Sequence, residues 1–333
     1  MAELRELEYY LAQARRISAH READAEKEIR KLYKELLDDL QQFLSQTYIQ
    51  YAQNDQLTYA MLQEKGYNAR FLEEIEQRLN ISTPKSAMAL RSIVEVTYTL
   101  AYHSMVDGVV KSYFDPANHS LQSVFGDSLA ITPEQIKAAV ENPVSGLTLS
   151  DTLEKNRRDI IYNIKKTIGV GLMNGDRYTT MARRIAQCVD GDYRKAIRIV
   201  RTETHRVRES GELDAALKVD AELQNGTTGM RMVKKWKTMK DERVRPNYVR
   251  NNRRGGWTRG VSRNGANHVR LEGQMVLVDE PFDLLDGHKA MAPSQSGVAS
   301  HDINCRCLAL KYMMTDDEYF KATGKHFPVR SGD

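Results

Sequence analysis

Between residues 3 and 53 the chain contains no glycine and no proline, and this limits the fold more than any other feature of the sequence. Strands rarely exceed about ten residues, so an unpunctuated run of this length is read as helix. Its apolar residues fall at helical spacing: Leu4, Leu7, Tyr10, Leu11 and Ala14, then Ile29, Leu32, Leu36, Leu40, Phe43 and Leu44. The other face mixes both charge signs, as in READAEKEIRKLYKELLDD. The pattern predicts one long amphipathic helix that packs in a bundle or against a partner.

Helical patterning continues well past it. Further helices are predicted near 57–64 and 68–79. Ser82-Thr83-Pro84 reads as a cap with proline at the first helical position, opening a new helix to about residue 112. Thr132 and Pro133 open another, which Asn142-Pro143 stops. Helical spacing then runs on to about residue 224. At QNGTTG, residues 224–229, the character changes. MRMVKKWKTM, GQMVLVDEPF and NCRCLALKYM read as strands among loops rich in Gly, Pro and Arg, and TDDEYFKAT reads as a closing helix capped by Thr315. The expected fold class is α+β: a large, mainly helical N-terminal region over 1–145, then a module over 146–333 with helices at 146–224 and an α+β portion at 225–333.

No run of apolar residues is long enough to span a bilayer, and MAELRELEYYLAQARR lacks the form of a secretory signal. The charge is uneven. Residues 1–226 carry 30 Lys and Arg against 33 Asp and Glu, whereas 227–333 carry 19 against 12. Most of the excess lies in 231–263, with 12 basic residues against two acidic. Such a block is either a solvated loop or an anion-binding surface. Arg243, Arg245, Arg250, Arg253, Arg254, Arg259 and Arg263 are its candidate contacts to DNA phosphates, with Trp257 available for stacking.

Of only three cysteines, two stand one residue apart, Cys305 and Cys307. An odd, small number does not make a disulfide framework. In a strand, residues i and i+2 share a face, so both sulfurs would lie side by side. Three readings stay open: two small buried residues of a core face, half of a zinc site, or a strained disulfide. For a metal, His268 is the first candidate partner, with His301 and Asp241 as further polar candidates.

Five landmarks stand in a fixed order: RTETHRV (201–207), KKWKTMKDERVR (234–245), HVRLEGQMVLVDEPF (268–282), MAPSQSG (291–297) and INCRC (303–307). Together they resemble the phage Mu F-like minor head protein family, also called phage head morphogenesis proteins, over roughly residues 150–310. The positions that carry the resemblance are Arg201, Thr202, Glu203, Trp236, Asp241, Arg243, Val244, Arg245, His268, Leu271, Gly273, Phe282, Pro293, Asn304, Cys305, Arg306 and Cys307. In the family the histidine follows R-V-R almost at once. Here residues 246–267 intervene as an insertion rich in Arg, Asn and Gly, and Tyr248 competes with His268 for the histidine position; the following L-x-G favours His268.

The resemblance implies a minor structural protein of a tailed-phage head, located in the virion near the portal and made in the host cytoplasm. Its implied partners are the portal protein, other head proteins and double-stranded DNA bound without sequence preference, in assembly, packaging or ejection. Some relatives carry ADP-ribosyltransferase domains after this module; with only a short stretch after INCRC, none is expected here. Arg201, Glu203, Asp241 and Arg306 are expected to form a buried ion-pair network, a fold-specifying role, with Trp236 as one large anchor. The rival reading is a metal-dependent nuclease built from His268, Asp241, Asp302, Asn304 and the thiols; a cysteine nucleophile is a third. No H-E-x-x-H, P-loop or G-x-S-x-G motif supports an enzyme.

Overall fold

The computed structural model of the chain describes residues 2–114, 128–144, 146–225, 229–239, 244, 248–251, 256–259 and 266–328. The helices are α1 Ala2–Tyr51, α2 Tyr59–Glu64, α3 Asn68–Tyr113, α4 Pro133–Val140, α5 Leu149–Asn174, α6 Tyr178–Asn225, α7 Ala299–Asp302 and α8 Asp316–Thr323. The strands are β1 Met230–Lys237, β2 Tyr248–Asn251, β3 Gly256–Arg259, β4 Met275–Leu277, β5 Phe282–Asp283, β6 Lys289–Ala290 and β7 Leu308–Thr315, with a 3-10 turn at His268–Leu271. This is the expected α+β class, helical first and stranded late.

Several local predictions match. The glycine-free stretch is a single helix of 50 residues. Thr132 and Gln135 form a capping box ahead of α4, and Thr315 and Glu318 form another ahead of α8. Ser82-Thr83-Pro84 does not open a helix, however. The α3 helix runs through Pro84, although an interior proline costs about 3 kcal/mol. Ile75 and Leu79 before the proline and Leu90 after it are all buried, so one unbroken helix keeps a single apolar face in the core. Thr83 caps nothing; its hydroxyl donates to the Leu79 carbonyl at 2.9 Å. The strand expected over GQMVLVDEPF is two short pieces, β4 and β5, separated by a turn in which Glu280 N–H donates to the Leu277 carbonyl.

The residues divide into two compact units, each built from separate stretches of chain. The predicted division near residue 145 follows sequence character and is of a different kind. One unit takes Arg21–Ile93 and Leu149–Arg201. Its core is helical, with Ile29, Leu36, Leu40, Phe71, Ile75, Ile160, Ile164 and Ile185 buried, and Phe43 stacked on Phe71 at 5.5 Å.

The other unit takes Met1–His20, Val94–Thr148 and Thr202–Asp333. Helical residues Leu7, Leu11, Tyr102, Met105, Val109, Leu213, Ala216 and Val219 pack with Met232 of β1 and Met313 of β7. The three-stranded sheet has the order β4-β1-β7 and is antiparallel throughout. A second cluster gathers Trp236, Leu271, Phe282, Leu284, Ala290, Cys305, Cys307 and Ala309. Trp236 is opposite Ala309 in the β1–β7 register, which brings the tryptophan to the stretch that carries both cysteines.

Candidate metal centre

The two cysteines lie just before β7, in irregular chain rather than in the strand itself. β7 begins at Leu308, opposite Lys237 at the end of β1; upstream, Asn304 has φ 55, a left-handed conformation that Asn tolerates better than most residues. Its N–H donates to the Thr202 hydroxyl at 3.2 Å, and Cys305 N–H donates to the Asp302 carbonyl at 3.2 Å. At the strand start, Ala309 N–H donates to Glu209 Oε2 at 3.0 Å. The helix α6 thus fastens the N-C-R-C stretch from both ends.

His268 begins the 3-10 turn. That turn is tied to β1: Gly273 N–H donates to the Trp236 carbonyl at 2.9 Å, and Trp236 N–H donates to the Gln274 carbonyl at 2.8 Å. Gly273 has φ 85, a conformation that suits glycine. The Trp236 ring meets His268 edge-on at 5.5 Å and Phe282 edge-on at 5.2 Å.

His268 Nδ1 lies 3.6 Å from Cys305 Sγ and 3.5 Å from Cys307 Sγ. All three residues are buried, and their ligand atoms lie within 4.8 Å of one another. The structure therefore brings together the trio selected from the sequence across 37 and 39 residues of chain. On the far side of the ring, His268 Nε2 stands 3.0 Å from His301 Nδ1, with the two ring planes within 14° of each other. His301 Nε2 in turn stands 2.7 Å from Asp286 Oδ2. Burial lowers the His301 pKa despite Asp286. Burial opposes ionisation of Asp286, but hydrogen bonds from His301 and His288 outweigh it and hold the carboxyl below its ordinary range. Cys305 is held well below the usual thiol range, first by its hydrogen bond with Cys307 and then, against burial, by His205 and His268.

His205 is the site residue that sequence reading missed. It sits inside the quoted RTETHRV, three residues beyond Thr202 and four before Glu209, so one helical face carries all three. That spacing was the available signal. His301, named only as a further polar candidate, orients His268 through its second nitrogen.

The expected ion-pair network takes another form. Arg201 pairs with Glu26 at 2.5 and 2.9 Å. Glu203 pairs with Arg206 at 2.8 Å, both buried; burial pushes the Glu203 carboxyl up against the pull of Arg206. Arg206 also donates to the Ala139 and Val140 carbonyls at 2.7 Å each, closing the C-terminal end of α4. Arg306 is exposed. Trp236, Leu271, Phe282 and Pro293 are buried, as motif residues expected in a core would be. Asp241, Arg243, Arg245, Arg253, Arg254 and Arg263 lie outside the described residues, while Arg250 and Arg259 stand on β2 and β3.

Long helices with a small three-stranded sheet, and thiols and imidazoles gathered beside it, define a mainly helical α+β protein. Residues 162–253 match the family model described as Phage Mu protein F like protein, in agreement with the resemblance that the motif order carries. It is similar to the minor head protein GP7 of Bacillus phage SPP1, 27% identical over 290 residues, 87% of this chain and 82% of the relative. It is also 32% identical over 181 residues to the NAD(+)--arginine ADP-ribosyltransferase EFV of Enterococcus faecalis, covering 54% of this chain and 32% of that protein. No solved structure matches the chain. The family match ends before His268 and the two cysteines.

Proposed function

We propose that the chain is a minor structural protein of a tailed-phage head that acts beside the portal and touches the packaged DNA. The observation that carries this reading is the similarity to the SPP1 minor head protein across most of both chains. The role is structural rather than catalytic, with residues 146–333 as the head-morphogenesis module. In this reading the long helices supply contacts to the portal and other head proteins, and the protein is made in the host cytoplasm before it enters the head interior.

The basic block supports the DNA contact. In the β2–β3 ribbon, Tyr248 is opposite Arg259 and Arg250 is opposite Trp257. The ribbon's sequence thus carries two arginines and two aromatics, at 248, 250, 257 and 259. That composition suits phosphate neutralisation and stacking without base reading.

A gel-shift assay with linear double-stranded DNA at low and moderate salt tests this, with and without Mg²⁺ or Zn²⁺. The expected result is a shift that weakens steeply with salt and leaves the DNA intact. Pull-down of the portal protein of the same phage is the companion measurement. Metal-dependent cutting abolished by His268→Ala would replace the structural reading with the nuclease, and absence of any shift at low salt would remove the DNA contact.

A further inference from the structure

We propose that His268 Nδ1, Cys305 Sγ and Cys307 Sγ are the protein ligands of a bound zinc ion that staples the C-terminal module, with Asp286 and His301 as the outer partners that orient His268. The inference goes beyond the head assignment and stands or falls independently of it.

The distances carry the argument. Zinc bonds to thiolate sulfur at about 2.3 Å and to imidazole nitrogen at about 2.0–2.1 Å, in tetrahedral geometry. The N···S edge of such a tetrahedron is then about 3.6 Å. The two observed edges are 3.6 and 3.5 Å. A single neutral imidazole nitrogen has one lone pair in the ring plane and accepts one good hydrogen bond. Two sulfurs equidistant from it are therefore not explained by two S–H···N bonds. A cation bonded to all three makes both distances equal.

The proton inventory points the same way. Asp286 is an acceptor, so His301 presents Nε2–H to it across 2.7 Å. That leaves the His301 Nδ1 lone pair to accept from His268 Nε2–H across 3.0 Å. The His268 Nδ1 lone pair is then free and faces the sulfurs. A carboxylate behind a histidine is the usual device that sets the tautomer and orientation of a metal-bound imidazole. Two soft thiolates with one imidazole select zinc over magnesium or calcium.

His205 does not complete the ligand set. Its Nδ1 stands 2.5 Å from Arg208 Nη2, which can only donate. Nε2 must then carry the proton; it is buried without another hydrogen-bond partner among the described residues. A protonated Nε2 has no lone pair to offer a metal. The fourth coordination position falls to water or another small donor.

The test uses the full chain, purified under reducing conditions. Metal analysis should find one zinc per chain. Cobalt added to the chelator-treated protein should give thiolate-to-cobalt charge-transfer absorption, reversed by zinc. Cys305→Ser and Cys307→Ser should each lose the metal. Because those variants risk unfolding, Asp286→Asn is the second arm: the ligands remain, the helical circular dichroism is retained, and zinc affinity falls about 10–100-fold. Cys188→Ser, a cysteine outside the cluster, should bind as wild type. Folded wild-type protein that takes up neither zinc nor cobalt overturns the proposal. So does metal that survives both Cys305→Ser and Cys307→Ser.

Discussion

Lys311, in the middle of β7, holds Glu212 of α6 across 3.0 Å with both side chains shut away from water. Arg15 grips the same carboxylate at 2.6 Å, and Glu209 stands 3.7 Å from the lysine. Helix and sheet of this unit thus meet through buried charge as well as through apolar packing. Breaking such a pair on one side strands the other charge in the interior, which costs about 3–5 kcal/mol. Glu212→Gln should lower chemical-denaturation stability by that order, and a loss under about 1 kcal/mol would mean that the cluster is not the fastening described.

The same carboxylate sets an acid limit. Burial opposes its ionisation, but Arg15, Lys311 and Arg208 overcome this and draw it from 4.5 down to about 2. Its contribution to stability is therefore complete above about pH 4.5 and is lost as pH falls toward 2. Melting temperatures across that window should fall more steeply for wild type than for Glu212→Gln.

Lys234 gives a slope of the same sign at higher pH. Its buried ammonium donates to the Val278 and Met291 carbonyls at 2.9 and 2.7 Å. Burial first, then the charge of Lys311, push it from 10.5 down to about 7, while Asp279 and Glu280 pull it back up. Between those values the unfolded chain holds a proton that the folded chain has released, so stability rises with pH by at most about 1.4 kcal/mol per unit. Lys234→Met should flatten the rise. An unchanged slope in the variant would assign the effect to another group.

Gly211 and Gly191 lie on the same helix, α6, and should respond in opposite directions to alanine. A β-carbon at Gly211 would fall 2.5 Å from the Tyr98 carbonyl oxygen and 3.1 Å from Ala101 Cβ, whereas Gly191 has nothing within 4 Å. Overpacking should cost Gly211→Ala about 1–3 kcal/mol, offset only in part by helix propensity. Gly191→Ala should gain up to about 1 kcal/mol. Equal shifts in melting temperature would contradict the close approach of α3 and α6.

Asn304→Gly should be nearly silent and Asn304→Val destabilising by about 1–3 kcal/mol, because φ 55 suits glycine and strains a β-branched residue. Thermal melts of the two variants check it.

Much of this was legible in the residues. Periodicity alone located the long helices, because 3.6-residue spacing survives whatever surrounds it. Capping residues located the starts of α4 and α8 for the same local reason. Ser82-Thr83-Pro84 misled because a cap and an interior proline share one local sequence, and the buried face on either side decides between them. The cysteine trio was legible through motif order, although the strand expected to hold the cysteines was not there: β7 begins only at Leu308, where its pairing with the end of β1 begins. The His301–Asp286 support was not legible, since it depends on a turn that folds residue 286 back onto 301. Nor was His205, which stands about 100 residues from the thiol it faces.

Val244 and Ala266, before and after the β2–β3 ribbon in sequence, are both almost fully covered. Between them the β2–β3 ribbon pairs only with itself among the described residues, and no bond of the β4-β1-β7 sheet depends on its register. Closing a longer or shorter excursion between fixed ends changes the chain entropy only slowly. The stretch is thus an exchangeable cassette. An epitope tag or a fluorophore-bearing linker can be spliced there, and a lineage of such proteins can vary what it displays at this position without rebuilding the interior.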